Sequence, residues 1–401
     1  MWLVACSSTA NTDSPAPDGG AADAASGASD GGASEAATSD GASASPPRTR
    51  VTFAGIGPAG IFDPSLSSAA TEARVWMSYS EVLPSPMWST QNAHAVRTRL
   101  ARTDDQGATF VDVVANPTSF LDVTLPLAPP NNAGTWVAEV SSLAWDEGAA
   151  APERWRIVFH RYLLVNGNRM FEHGWIGMKS AATPESLAAA TEVKLFVGSI
   201  YDTSNDAAGG TSRSPVGGAP ILHAETSHAD LSGCVAFTEP SLFATATALE
   251  IALSCVNSSA EARLVRFRCD APCTATKAAS WTYAGTLLTT ADAVALGYDS
   301  GFGAASLVRT ASGGRALIAT PTKSTPFAGF YDGCLVYPLT ATGALAGSAR
   351  APSLVVPGIA GAFRGACDYS PKAAAAGILL SELDLGAPDS FRLFATHLAI
   401  F

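Results

Sequence analysis

The sequence predicts an all-β fold, a five-bladed β-propeller preceded by a disordered tether. Three observations predict it. The first is the stretch Phe237–Val256, which reads as a hairpin: Glu239–Phe243 leads in, Thr245–Ala248 turns, and Leu249–Val256 returns. In the return, Leu249, Ile251, Leu253 and Cys255 share one face and Glu250, Ala252 and Ser254 the other, the period of two expected of a strand. The second is recurrence. Asp63–Leu66 leads into Arg74–Ser80, Val140–Leu143 into Arg154–Tyr162, Ala304–Leu307 into Arg315–Thr320, and Asp368–Pro371 into Ala376–Glu382. Aligning Leu66, Leu143, Leu242, Leu307 and Pro371 gives steps of 77, 99, 65 and 64 residues, which suit a four-stranded blade with its loops. The third is the head of the chain. Ser7–Pro47 is dominated by Ala, Ser, Gly, Asp, Thr and Pro, and its six charges are all acidic. Such a segment cannot bury enough apolar surface to offset the entropy of ordering it.

These signals divide the chain into residues 1–6, a linker over 7–50 and a propeller over 51–401. The first blade starts at about Val51 and includes His94–Arg102. The second holds Val137–Trp145, Arg154–Val165, Gly174–Ser180 and Glu192–Val197, with Thr183-Pro184-Glu185 starting one helical turn that runs to Ala190. The third adds Ala262–Cys269 and Trp281–Leu287 to the hairpin. The fourth is Ser306–Arg309, Ala316–Thr320, Cys334–Pro338 and Ser353–Val356; the fifth is Arg364–Ser370, Ile378–Leu383 and Phe391–Ile400. A strand from one terminus should close the ring, either Val51–Phe53 or the last strand.

Composition narrows the function. Apolar residues make up 47% and charged residues 15%, with a formal net charge of -11. An acidic chain lacks the basic surface that neutralises phosphates, so nucleic acid is excluded as a partner. No run of 18 apolar residues is present, so no transmembrane helix is expected. No HExxH, GxSxG, P-loop or strand-following GxGxxG occurs, and no metal or cofactor is expected. The expected state is a monomer.

Leu3-Val4-Ala5-Cys6 resembles the lipobox of bacterial lipoproteins. Five residues precede Cys6 and none is basic. The resemblance implies lipidation at Cys6, with the acidic tether holding the propeller off the membrane. Ser7 after the Cys implies the outer membrane; a secreted protein of the cell envelope is the alternative. The lipid would be the sole membrane contact. The other six cysteines are even in number, as disulfides in an exported protein require. Cys269 and Cys273 bracket a tight turn, Cys234 with Cys255 would tie the ends of the hairpin, and Cys334 with Cys367 would staple the fourth blade to the fifth. The rival zinc site lacks paired CxxC motifs and HxxxH.

Thr103, Asp105, Gly107, Thr109 and Phe110 match the Asp-box found in sialidases and related propellers. The box is expected to be structural. Asp105 would accept turn N–H groups, Gly107 would supply a permissive φ, and Phe110 would pack between sheets.

Inner strands of a propeller line its channel, so the residues that begin them should converge at one mouth. Here these are Asp63, Val140 with Glu139 beside it, Glu239, Ala304 and Asp368. Convergent carboxylates are what glycoside hydrolysis needs, one as acid and one as base. Asp63-Pro64-Ser65-Leu66 and Thr238–Phe243 (TEPSLF) resemble family-43 glycoside hydrolases and their arabinanase, levansucrase and invertase relatives. The resemblance implies Asp63 as base and Glu239 as general acid; Glu239 should then sit in the drier setting and Asp63 should be more solvated or hydrogen-bonded, to stay ionised. The second-blade carboxylate that tunes the acid would be Glu139, one position out of register, or Asp146, further along. Asp368, Trp76 and Trp136 are further candidates for the channel mouth, with Trp88 and Trp175 as added aromatic platforms. Two classes of function survive: an enzyme or binder acting on an extracellular glycan, and a non-catalytic surface scaffold.

Overall fold

A computed structural model describes residues 47–55, 60–82, 96–113, 134–165, 168–206, 214–216, 221–326, 329–386 and 391–401, together with the backbone of 123–125. Cys6, most of the tether and Trp88 lie outside the described residues. Twenty of the twenty-four described strands form five antiparallel units of four strands each. The first blade is Ile61–Ser67, Val75–Val82, Val96–Thr103 and Thr109–Asp112. The second is Gly134–Trp145, Trp155–Val165, Asn168–Ala181 and Val193–Val197. The third is Ala236–Ala244, Ala248–Val256, Ala262–Asp270 and Thr282–Leu288. The fourth is Gly301–Arg309, Arg315–Lys323, Gly333–Leu339 and Leu354–Pro357. The fifth takes Ala362–Asp368, Leu379–Asp384 and Arg392–Ala395 from the end of the chain, and Thr49–Arg50 from its start. Each inner strand packs on the next, and the fifth packs back on the first, which makes a ring.

The N-terminal segment closes that ring on both sides of the seam. Thr49–Arg50 pairs antiparallel with Phe394 and Ala395, and Thr52–Ala54 runs parallel to Thr109–Val111 of the first blade. The ring therefore begins two residues earlier than Val51. The helical turn of the second blade is a 3-10 turn over Glu185–Ala189. No helix among the described residues is long and apolar enough to cross a membrane.

The face that alternation marks as polar is not a wet face. Glu250 and Ser254 are both fully buried, because a blade is covered on both sides by its neighbours. Glu250 accepts from Arg266 at 2.9 Å and from Arg315 of the fourth blade at 2.6 Å, and Ser254 donates to the Gly303 carbonyl at 2.8 Å. Polar residues there join blades rather than meet water.

A second set of polar links runs around the axis. The Oγ atoms of Ser65, Ser142 and Ser241 accept from Leu143, Leu242 and Leu307 N–H of the next blade, at 3.2, 2.9 and 2.8 Å. Asp368 continues the series: its carboxylate accepts from Leu66 N–H of the first blade and bonds the Ser306 hydroxyl of the fourth. One short polar side chain in each of four blades thus satisfies a backbone donor that the channel would otherwise leave unpaired.

All three expected disulfides are present, with Cα separations of 5.3 Å for Cys234–Cys255, 5.5 Å for Cys269–Cys273 and 6.3 Å for Cys334–Cys367. In the turn after Thr103, Thr109 N–H donates to Asp105 Oδ1 at 2.9 Å and Gly107 N–H to Thr103 Oγ1 at 3.0 Å. Gly107 has φ +89°, and a side chain there would press on Ala373 and Ala376 of the fifth blade. Phe110 is fully buried against Phe53.

Candidate active site

The inner strands share a backbone device. Asp63, Val140, Glu239 and Ala366 have φ of 50°, 50°, 52° and 51°, in the left-handed region. Each is the first residue of a bulge where the register with the second strand shifts, between Phe62 and Ser65, Glu139 and Ser142, Thr238 and Ser241, and Gly365 and Asp368. A bulge re-aims a side chain, and non-glycine residues held at positive φ, a β-branched valine above all, are uncommon. The fourth blade shifts between Phe302 and Ala304 without a positive φ.

At this level three carboxylates meet. Asp63 and Glu239 line one space of about 30 Å³ with Val140, Ala304 and Ala366, and Glu139 and Glu239 line a second of about 40 Å³ with His160, Phe171 and Tyr331. Asp63 and Glu239 are each 5% exposed and Glu139 is 1% exposed. Burial, and then the Glu139 charge, push the Asp63 carboxyl well above its usual range, against a 3.3 Å hydrogen bond from the Ser80 hydroxyl. Burial, then Asp63 and Glu139, push Glu239 up in the same way, against the Tyr331 hydroxyl and the Arg169 guanidinium. Asp63 Oδ1 and Glu239 Oε2 make no hydrogen bond among the described residues. Two carboxyl groups in this relation cannot both ionise cheaply, so they titrate as a unit.

The second blade builds the surroundings. Burial, and then Arg169, hold His160 down at about 3, so its ring is neutral; its Nδ1 meets Thr238 Oγ1 at 3.0 Å and its face stacks on Phe171 at 5.6 Å. Burial opposes the charge of Arg169, but Tyr162, Glu139 and Glu239 outweigh it, and the guanidinium lies 5.7 Å from the Tyr162 ring. Around the carboxylates an apolar cluster gathers from four blades; in it Phe62 packs on Phe391 at 4.6 Å and Tyr331 on Phe363 at 4.7 Å.

Several expected site residues lie elsewhere. Asp368 is not the counterpart of Asp63. The bulge puts Ala366 there and aligns Asp368 with Ser65, so its carboxylate serves the axial ring of hydrogen bonds. Asp146 is seven residues beyond Glu139, about 23 Å along an extended strand; it pairs with Arg156 at 2.8 Å. Trp76 faces a blade interface, against Trp155 of the second blade at 6.4 Å, and Trp136 is buried in a cluster of its own blade, against Trp175 at 4.9 Å. Asp63 is as buried as Glu239, so it is not more solvated, but it is hydrogen-bonded, accepting from the Ser80 hydroxyl. Arg169, Tyr331 and Ser80 carry no local signal that sequence reading could have caught. No group of His, Cys, Asp and Glu among the described residues could hold a metal ion.

No protein-family model and no curated protein matches the chain. Solved structures similar to it include the catalytic domain of a family-62 α-L-arabinofuranosidase from Coprinopsis cinerea, at 13% identity and TM-score 0.45, covering 87% of this chain and 96% of that one. A thermostable family-43 glycoside hydrolase is similar at 10% identity and TM-score 0.44, over 84% and 88% of the two chains. An endo-arabinase from Bacteroides thetaiotaomicron is similar at 10% identity and TM-score 0.41, over 88% and 98%. At these identities the likeness assigns no role to any residue.

Proposed function

We propose that the chain hydrolyses glycosidic bonds, with Glu239 as general acid, Asp63 as base and Glu139 as the charge that biases the pair. One observation carries the reading: carboxyl groups from three consecutive blades are buried together, and two of them, Asp63 and Glu239, have their affinity for protons raised. Such a cluster costs stability, and an apolar filling would not. It is also what a catalytic acid requires near neutral pH. Protonated Glu239 gives its proton to the glycosidic oxygen. Ionised Asp63 takes a proton from the water that attacks the anomeric carbon. The space of about 30 Å³ between the two has room for that water.

Replacing Glu239 with Gln tests this. Turnover of aryl glycosides should fall by more than 100-fold while the ring stays folded. Unchanged turnover refutes the assignment. One observation favours the second reading, a non-catalytic glycan-binding or scaffolding propeller: spaces of about 30 and 40 Å³ are too small for a sugar ring. On that reading no glycoside is turned over, and Glu239→Gln only stabilises.

The ligand would then be a glycan outside the cytoplasm. Three disulfides favour an oxidising compartment, and the Cys6 motif suggests anchoring at the cell envelope. Intact mass of membrane-extracted protein tests the anchor; a free Cys6 thiol refutes it.

A further inference from the structure

The two carboxylates of the proposed pair stand on inner strands that are not neighbours. Asp63 belongs to the first blade and Glu239 to the third, with the second blade between them. Each heads a bulge whose middle residue is a proline, Asp63-Pro64-Ser65 and Glu239-Pro240-Ser241. The other three inner strands have Ser141, Ala305 and Cys367 at that position. Proline fixes φ, so these two bulges are stiff, and a shift at the far end of either carries its carboxylate along.

The far ends meet on one atom. Ser142 Oγ of the second blade accepts from the Ser65 hydroxyl at 3.2 Å and from Leu242 N–H at 2.9 Å. Ser65 closes the Asp63 bulge, and Leu242 follows the last residue of the Glu239 bulge. Ser142 is buried, where a hydrogen bond is stronger than in water. Other links to the second blade serve one carboxylate each. Ser80 Oγ donates to Asp63 Oδ2 at 3.3 Å and accepts from Val140 N–H at 3.1 Å. His160 Nδ1 meets Thr238 Oγ1 at 3.0 Å, one residue before Glu239. Ser142 ties both bulges to a single point.

We infer that Ser142 is a positioning residue, whose hydroxyl sets the spacing of Asp63 and Glu239 across the channel. Its effect on turnover rests on the acid–base reading of that pair, whereas its effect on their spacing does not. The pair releases its second proton against the charge left by the first. Bulges freed from Ser142 can move apart as that second charge forms, so the upper of the two apparent pKa values falls. Near a spacing of about 6.5 Å, each added Å weakens the repulsion by about 0.25 pH unit at an effective dielectric constant of about 20.

The full chain, isotope-labelled at its side-chain carboxyl carbons, is titrated by NMR, with the two signals assigned through Asp63→Asn and Glu239→Gln. In Ser142→Ala the upper value should fall by about 0.2 pH unit or more. Ser65→Ala, which cuts the link on the first-blade side, should lower it too, and it decides the matter if Ser142→Ala does not fold. Ser241→Ala is the matched control. It removes an equivalent acceptor, for Leu307 N–H, but that bond leads to a blade with Ala304 at the carboxylate position. It should leave both values in place. The other groups facing the pair, Glu139, Tyr331, Arg169 and the neutral His160, are the same in all these chains. An unmoved upper value in Ser142→Ala overturns the inference, and so does an equal fall in Ser241→Ala. Aryl-glycoside turnover is followed separately, and its alkaline limb should move with the upper value. A parent chain that turns nothing over, yet shows the fall in Ser142→Ala, loses the hydrolase reading and keeps this one.

Discussion

Asp368→Asn isolates the energetics of the axial ring. Three of the other inner strands use Ser65, Ser142 and Ser241 to accept a neighbour's N–H, where the fifth uses a carboxylate that is 4% exposed. Burial is the main reason its pKa rises from 3.8 to about 7, against bonds from Leu66 N–H, Tyr369 N–H and the Ser306 hydroxyl. The folded state therefore binds a proton that the unfolded chain has released. Below pH 3.8 the group is neutral in both states and costs nothing; as pH rises to about 7 stability is lost, and above that the loss is complete. At about 1.36 kcal/mol for each pH unit between the two values, the loss is about 4 kcal/mol. Asn keeps an acceptor for Leu66 N–H and does not ionise. Urea unfolding at pH 4 should find variant and parent about equally stable. At pH 8 the variant should be more stable by ~4 kcal/mol, less what the charged acceptor contributed. The difference between the two chains cancels the slopes of Asp63 and Glu239. Parallel stability curves from pH 4 to pH 8 would show that Asp368 is ionised throughout, and the burial argument would fail.

Tyr331→Phe removes a hydroxyl that holds the Glu239 pKa down, so the alkaline limb of the pH profile for aryl-glycoside turnover should move to higher pH; an unmoved limb breaks the link between Tyr331 and the acid. Replacing Cys334 and Cys367 together by Ala opens a link across 33 residues, and urea unfolding should show a loss of about 3–4 kcal/mol that reductant reproduces in the parent chain. No difference between oxidised and reduced parent would mean the bridge does not restrain the unfolded chain.

Strand patterning and spacing made the ring legible, because Leu66, Leu143, Leu242 and Leu307 do occupy one level of it. The fifth blade was misaligned by two residues. Matching Pro371 to the leucines followed local resemblance, whereas the equivalence is set by hydrogen-bond register, which makes Tyr369 the counterpart. The same error placed Asp368 at the mouth. Asp63 and Glu239 were readable because each precedes a proline in a repeated motif. Glu139 joins them although it precedes the bulge rather than entering it, so spacing alone could not place it. Arg169 and Tyr331 were beyond reach: each arrives from a separate hairpin, and no periodicity encodes which side chain crosses an axis. Trp76 and Trp136 misled because aromatic residues fill a propeller's interior as readily as they line sugar sites.

The seam between the first and fifth blades gives the chain an order of events. Thr49 pairs with Ala395, so the outer edge of the fifth blade cannot form until nearly the whole chain exists. Until then the first blade lacks one neighbour, and the face that carries Ile61, Val75 and Met77 has nothing to cover it. Closure joins residues at the two extremes of the sequence, the kind of contact that makes folding slow. A chain emerging from its N-terminus would hold an open horseshoe through four blades and snap shut only at the fifth. Anything that grips residues 49–54 in the meantime, whether a chaperone or tension along the tether, would keep the carboxylates of the first and third blades from being locked opposite each other.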